Sequence, residues 1–253
     1  MNALVTGASS GIGKDIALLL ADRGYHLVLV ARREEELEEV AARCKYGATV
    51  IAMDLGTPGA AQRLFEAVRV KELPIEVLIN NAGFGRVEEH VSTQLEVLES
   101  MNHLNITCLS SLCRLFGEPM KERGHGAILN VGSTASYLAI PGMANYAATK
   151  AYVASFTRAL RFELAKHGVQ VSLLNPGPTQ TEFGARAKDN GDFFAGKPGV
   201  MSSIEVAQAG VEGLFANVEE ILPGGLNAAL PLALRFLPTS LVTRLADFWV
   251  RRK

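Results

Sequence analysis

The stretch Ala3-Leu4-Val5-Thr6-Gly7-Ala8-Ser9-Ser10-Gly11-Ile12-Gly13 decides the fold. Ala3-Leu4-Val5 is a short β-prone run, and it ends in a turn whose glycines follow G-x-x-x-G-x-G. Helical periodicity begins at once, from about residue 12 to residue 23, and Gly24 closes it. A strand, a tight turn and a helix in this order leave free backbone N–H groups at a helix N-terminus, where a dinucleotide pyrophosphate binds. Gly7 supplies the tight turn, Gly11 the close approach and Gly13 the contact between helix and sheet. Ser9, Ser10 and Ile12 are further contact candidates on the same turn. A glycine cluster alone says little, but between a first strand and a first helix it is specific.

Strands and helices alternate outward from this turn. Residues 27–30 form an unbroken apolar run, as in a strand buried on both faces. Residues 33–45 read as a charged helix, 49–53 as a strand, 59–70 as a helix and 76–79 as a strand. A long helical stretch covers 93–122, followed by a strand at 127–131, a helix at 145–166 and a strand at 169–174. Alternation of this kind means βαβ units. The expected fold is α/β: a Rossmann-like doubly wound parallel β-sheet flanked by helices, with a C-terminal helical extension over 226–253. Nothing in the chain reads as a linker, so residues 1–253 are expected to form one domain. Residues 177–200 are rich in Gly, Pro and small polar residues and read as a substrate loop or lid.

Composition narrows the function. Lys plus Arg is 25 and Asp plus Glu is 26 in 253 residues, a formal charge of −1. That balance argues against nucleic acid as a main partner. With 48% hydrophobic and 20% charged residues the chain is globular and not disordered. Cys44, Cys108 and Cys113 are too few for a disulfide framework, and they read as reduced thiols of a cytoplasmic protein. The N-terminus lacks the charged start and long apolar run of a signal peptide. The five histidines show no metal-binding spacing, so no metal is expected.

The second strand ends at Val30-Ala31-Arg32-Arg33, where an acidic residue would favour NAD. A guanidinium fork there can hold a 2′-phosphate, so Arg32, with Arg33, points to NADP. The alternative is a pair of solvated charges at a helix start.

The chain resembles the short-chain dehydrogenase/reductase family, on several motifs in order. The turn Thr6 to Gly13 looks like its cofactor turn, Asp54-Leu55 like its acidic-apolar pair beside the adenine, and Asn80-Asn81-Ala82-Gly83 like its N-N-A-G element. Ser133, Tyr146 and Lys150 look like its catalytic residues, and Asn105 stands where the family carries an active-site asparagine. Asn175-Pro176-Gly177, followed by Thr179 and Thr181, looks like its motif facing the nicotinamide. Tyr146 is the only tyrosine with Lys four positions on. The resemblance implies an NADP(H)-dependent interconversion of a carbonyl compound and a secondary alcohol by hydride transfer. Tyr146 would be the general acid or base, and Ser133 would stabilise the substrate oxygen. Lys150 would hold the nicotinamide ribose and favour the phenolate, and Asn105 would hold a water linked to Lys150. Ala82 and Gly83 would border the cofactor. A catalytically silent NADP(H)-sensing or interaction protein on the same fold is the alternative. The chain departs from many relatives at Ile221-Leu222-Pro223-Gly224-Gly225 and in the longer apolar tail that follows.

Phe84, Tyr137, Met143 and Phe183 are the leading pocket candidates, with Leu138, Ile140, Phe193 and Phe194 nearby. They suggest an apolar or aromatic carbonyl substrate, unless they pack the core. In the tail, Leu241, Val242, Leu245, Phe248 and Trp249 fall on one helical stripe. Packing on the same subunit or a partner near the substrate entrance is favoured over a membrane surface and over a tail disordered until a partner binds it. The resemblance also implies a homodimer or homotetramer, with the two long helices pairing with their copies. Ile106, Leu109 and Leu112 would supply part of that seam if they face outward.

Overall fold

The computed structural model describes residues 1–188, 193–194 and 199–251. The first half alternates β1 (Asn2–Thr6), α1 (Gly11–Asp22), β2 (His26–Ala31), α2 (Glu34–Ala41), β3 (Ala48–Ala52), α3 (Ala60–Val70) and β4 (Ile75–Asn80). Then come α4 (Leu95–Asn102), a π-helical turn (His103–Cys108), α5 (Leu109–Arg123), β5 (Gly126–Val131), α6 (Ala144–Ala165) and β6 (Val169–Leu174). The remainder holds β7 (Thr179–Gln180), α7 (Glu182–Ala187), β8 (Met201–Ser202), α8 (Ser203–Phe215), β9 (Glu220–Ile221), α9 (Gly225–Leu234) and α10 (Thr239–Arg251).

Seven parallel strands form one sheet in the order β3-β2-β1-β4-β5-β6-β9. Alternate residues of each central strand enter opposite cores. Ala3, Val5, Leu27 and Leu29 pack with α1 and α8, whereas Leu4, Val28 and Val30 pack with α3, α5 and α6. Burial on both faces explains why these strands read as continuous apolar runs. The chain reverses its direction of winding between β1 and β4. Ligands of open α/β sheets bind beyond the carboxyl ends of the strands at such a switch point.

Several expectations are corrected. The helical stretch over 93–122 is not one helix. It divides into α4, the π turn and α5, because Asn105 turns inward from the π segment to bond the chain at Phe84. Leu109 and Leu112 lie in the core beneath the sheet and so offer no outward seam. Helix α2 stops at Ala41, and the chain turns at Gly47, whose φ of 84° is left-handed. Helices α7 and α8, strand β9 and the β7–β8 pair are additional to the elements read from the sequence, α7 within the expected substrate loop. The capping box Ser202…Glu205 announces α8. β9 has two residues, too few to carry a periodicity. Part of the expected substrate loop, 189–192 and 195–198, lies outside the described residues. The tail is helical as expected, and no helix among the described residues is long and apolar enough to cross a membrane.

Candidate active site

A cavity of about 630 Å³ lies beyond the carboxyl ends of the strands. The glycine turn forms one wall. Gly7 (φ +68°) and Gly11 (φ +54°) are left-handed, a conformation L side chains rarely adopt. A Cβ on Gly13 would stand 2.3 Å from the Gly7 carbonyl oxygen, so the start of α1 folds directly onto its own turn. Thr6 ties this turn to the end of β4. Its Oγ1 donates to the Ile79 carbonyl (3.2 Å) and accepts from the backbone N–H groups of Asn81 and Ala82, both at 3.0 Å. Asn81 Nδ2 answers with a bond to the Thr6 carbonyl (2.9 Å). The result is a turn with no Cβ at positions 7, 11 and 13, where a pyrophosphate could approach the backbone closely. Ser9, Ser10, Ile12, Ala82 and Gly83 border the same cavity.

Asp54 and Leu55 also line it, and the Asp54 carboxylate accepts from the Gly56 N–H at 2.8 Å. The two arginines separate. Arg33 is half-buried and engaged by Glu36 (2.9 Å), Glu182 (2.8 Å) and the Ser9 hydroxyl (3.3 Å). Arg32 is exposed at the cavity wall and has no ion pair among the described residues. Glu182 was not foreseen. It bridges Arg33 and Arg186, and although burial opposes ionisation, those cations hold its carboxyl below the ordinary range.

Ser133, Tyr146 and Lys150 meet on the opposite wall. Ser133 follows β5; its N–H donates to Asn175 Oδ1 (2.9 Å) and its hydroxyl accepts from the Ala135 N–H (3.1 Å). Tyr146 lies in the first turn of α6 and Lys150 one turn later, which puts both on one helix face. They are only 8% and 5% exposed. Lys150 Nζ donates to the Val131 carbonyl at 2.9 Å and stands 5.8 Å from the Tyr146 ring centre. Burial pushes the Tyr146 phenol up to about 12, against the pull of Ser133. Burial lowers the Lys150 ammonium to about 8. Asn105 grips Phe84 at both backbone groups, accepting from its N–H (3.2 Å) and donating to its carbonyl (2.9 Å). Its Nδ2 also reaches Thr149 Oγ1 at 3.0 Å.

Pro176, Gly177, Thr179 and Thr181 close the cavity from β6 onward. Phe84, Met143 and Phe183 line it as expected, and the Phe183 ring centre lies 5.3 Å from that of Tyr146. Tyr137 does not line it. Its hydroxyl donates to Glu220 and accepts from Asn175 Nδ2 at 3.1 Å, facing away into a network that Arg158 completes. A polar tip that finds buried partners does not stay in an apolar pocket.

The tail contributes more lining than its stripe indicated. Leu230, Leu234 and Leu237 from the α9 region and Val242, Ala246 and Trp249 from α10 face the cavity. Trp249 meets Phe193 edge-on with ring centres 5.5 Å apart. The expected stripe is therefore divided: Val242 and Trp249 turn inward, while Leu241 and Phe248 are exposed.

A protein-family model described as short chain dehydrogenase matches residues 1–191, and the chain belongs to that family. It is similar to the structure of a short-chain dehydrogenase from Sphingobium yanoikuyae in complex with NADPH. That match has 34% identity and a TM-score of 0.84, and covers 92% of each chain. It also resembles the bulky-bulky ketone specific alcohol dehydrogenase from Comamonas testosteroni, at 28% identity and a TM-score of 0.78, covering 94% of this chain and 95% of that one. Carbonyl reductase (NADPH) 2 of Sus scrofa is 31% identical over 185 residues, covering 73% of this chain and 74% of the relative. The protein is an oxidoreductase of this family by kinship.

Proposed function

We propose that the protein is an NADP(H)-dependent reductase or dehydrogenase that interconverts an apolar carbonyl compound and a secondary alcohol. The observation that carries this reading is convergence. Ser133, Tyr146 and Lys150 share one cavity with the glycine turn Gly7 to Gly13 and the exposed Arg32. The turn Gly7 to Gly13 would hold the pyrophosphate, Arg32 the 2′-phosphate, Asp54 and Leu55 the adenine side, and Lys150 the nicotinamide ribose. The cofactor supplies the hydride; the chain supplies position and a proton. Burial keeps the Tyr146 phenol protonated at neutral pH, the state a general acid needs in reduction. Ser133 would share the substrate oxygen with Tyr146 and stabilise its developing charge. The NADPH complex of the Sphingobium relative and the NADPH-named porcine relative support the cofactor choice. Phe84, Met143, Phe183 and the leucines of the tail support an apolar substrate.

A panel of ketones and secondary alcohols with each cofactor, followed at the nicotinamide absorbance, tests the reading. Turnover with NADPH preferred over NADH is expected. Tight NADPH binding with no turnover on any member would favour a silent cofactor-sensing protein.

A further inference from the structure

Leu237 and Leu245 line the cavity and are nonetheless 41% and 55% exposed. They form part of its rim, so the cavity opens through an apolar edge. The outer faces of the two C-terminal helices continue that edge. At the end of α9, Leu232, Arg235 and Phe236 fall at i, i+3 and i+4. On α10, Leu241, Arg244, Leu245 and Phe248 fall at i, i+3, i+4 and i+7. On α10 this spacing puts the set on one side of the helix, while Arg235 and Phe236 lie in the turn that follows α9. All of these residues are exposed, Phe236 by 80%. Helix α10 thus has two apolar stripes: an inner one, spent on the cavity, and an outer one that nothing in the chain covers among the described residues.

We propose that this outer face docks on an anionic membrane surface, from which the cavity takes lipid-soluble ketones or alcohols. Docking stands on the surface alone; substrate uptake rests on the oxidoreductase reading above. Charge selects the occupant. Residues 225–251 hold Arg235, Arg244 and Arg251 against the single carboxylate Asp247, in a chain whose formal charge is −1. Arg251 pairs with Asp247 at 2.7 Å, and Glu89 also acts on it. Arg235 and Arg244 have no ion pair among the described residues. A second copy seated on the same face would gather both copies' arginines into one interface. Anionic headgroups would neutralise them instead. The apolar side chains would enter the boundary between headgroups and acyl chains, with the arginine heads remaining among the phosphates.

The full chain is floated with vesicles of phosphatidylcholine, alone or with about 30 mol % phosphatidylglycerol. Co-flotation with the anionic vesicles is expected, and binding should fall by about 10-fold or more on the neutral vesicles or in about 0.5 M salt. The outer-face variant Phe236→Gln/Leu241→Gln/Phe248→Gln should lose vesicle binding by a similar factor. None of its three positions lines the cavity, so it should keep its melting temperature and its kinetics on a water-soluble ketone. Arg235→Gln/Arg244→Gln should abolish the preference for anionic lipid. The proposal fails if the wild type does not float, or if the triple variant floats equally well. It also fails if the triple variant loses only a concentration-dependent self-association, since the face then belongs to a second copy. Flotation needs no turnover, so a protein that binds vesicles but reduces nothing would overturn the enzymatic reading and leave the docking surface standing.

Discussion

Tyr146 and Lys150 are shifted in opposite directions by one cause, removal from water, which disfavours the charged form of each. The protonated phenol is therefore the resting state, and Tyr146→Phe removes the transferable proton while keeping the ring. Turnover should fall by about 10³-fold, with NADPH affinity within about 3-fold of wild type. Stopped-flow turnover and fluorescence titration of cofactor check this, and near-normal kcat would exclude Tyr146 as the acid. Lys150 has the reverse consequence for stability. With its pKa near 8 when folded and 10.5 as the ordinary value, the unfolded chain binds more protons between those limits. Stability then rises with pH across that window, and below it the charged buried amine costs the fold in full. Lys150→Met should abolish activity and yet stabilise the ligand-free protein at pH 7, by roughly 1–3 kcal/mol. That gain should shrink by pH 9.5, as denaturant titrations at the two pH values would show. A gain that grew with pH would contradict the burial argument. At the far side of the cleft, Arg32→Ala should weaken NADPH by about 10–100-fold and leave NADH almost unchanged, since one charge-assisted phosphate contact is lost. Equal losses in calorimetric titrations would mean that Arg32 touches something common to both cofactors.

At the scale of elements, α6 and α10 both line the substrate end of the cavity. Helix α6 presents Tyr146 from its first turn, and α10 supplies Val242, Ala246 and Trp249. Trp249 closes an aromatic group with Phe193 and Phe194, its centre 6.5 Å from the latter. Truncating Trp249 to Ala should raise KM for a large two-sided apolar ketone by about 10-fold, while a small ketone that reaches only Tyr146 keeps its KM. Parallel losses on both substrates would show that α10 shapes the site as a whole. The π turn before α5 is a second such element. It points Asn105 at both backbone groups of Phe84 and so places the wall beside Gly83. π turns of this kind recur at functional sites.

For the whole molecule, the expected self-association needs a surface other than Leu109 and Leu112. Helix α6 offers one: Phe162 is 86% exposed, and Tyr152 stacks on Phe156 with ring centres 5.8 Å apart. A two-fold interface along α6 would cover these rings and bring two active-site helices together. Phe162→Asp should then shift the dimer to monomer, raising its dissociation constant by about 100-fold or more, while the melting temperature of the monomer changes little. Sedimentation velocity across a range of concentrations checks this, and an unchanged distribution would place the interface elsewhere.

The cofactor turn, the succession of strands and helices and the pairing of Tyr146 with Lys150 were legible in the residues themselves, whereas Ser133 joined them only through the family resemblance. Each rests on local chemistry: glycines where φ is positive, apolar runs where both faces are buried, and an i, i+4 pair on one helix face. A residue's role is hidden from the sequence where it depends on what lies across from it. Tyr137 sits in an aromatic-rich stretch beside Ser133, yet Glu220, 83 positions away, claims its hydroxyl. Arg33 matched Arg32 in type, but Glu36, Ser9 and the distant Glu182 engage Arg33, while Arg32 has no ion pair among the described residues. Strand β9 is two residues long, and its pairing with β6 makes it a strand. In the tail, periodicity showed an amphipathic helix but not that α10 has two apolar sides. Which side meets the cavity is decided by the rings of Phe193 and Phe194, because side chains commit to a face only when a neighbour of matching shape and polarity is already there.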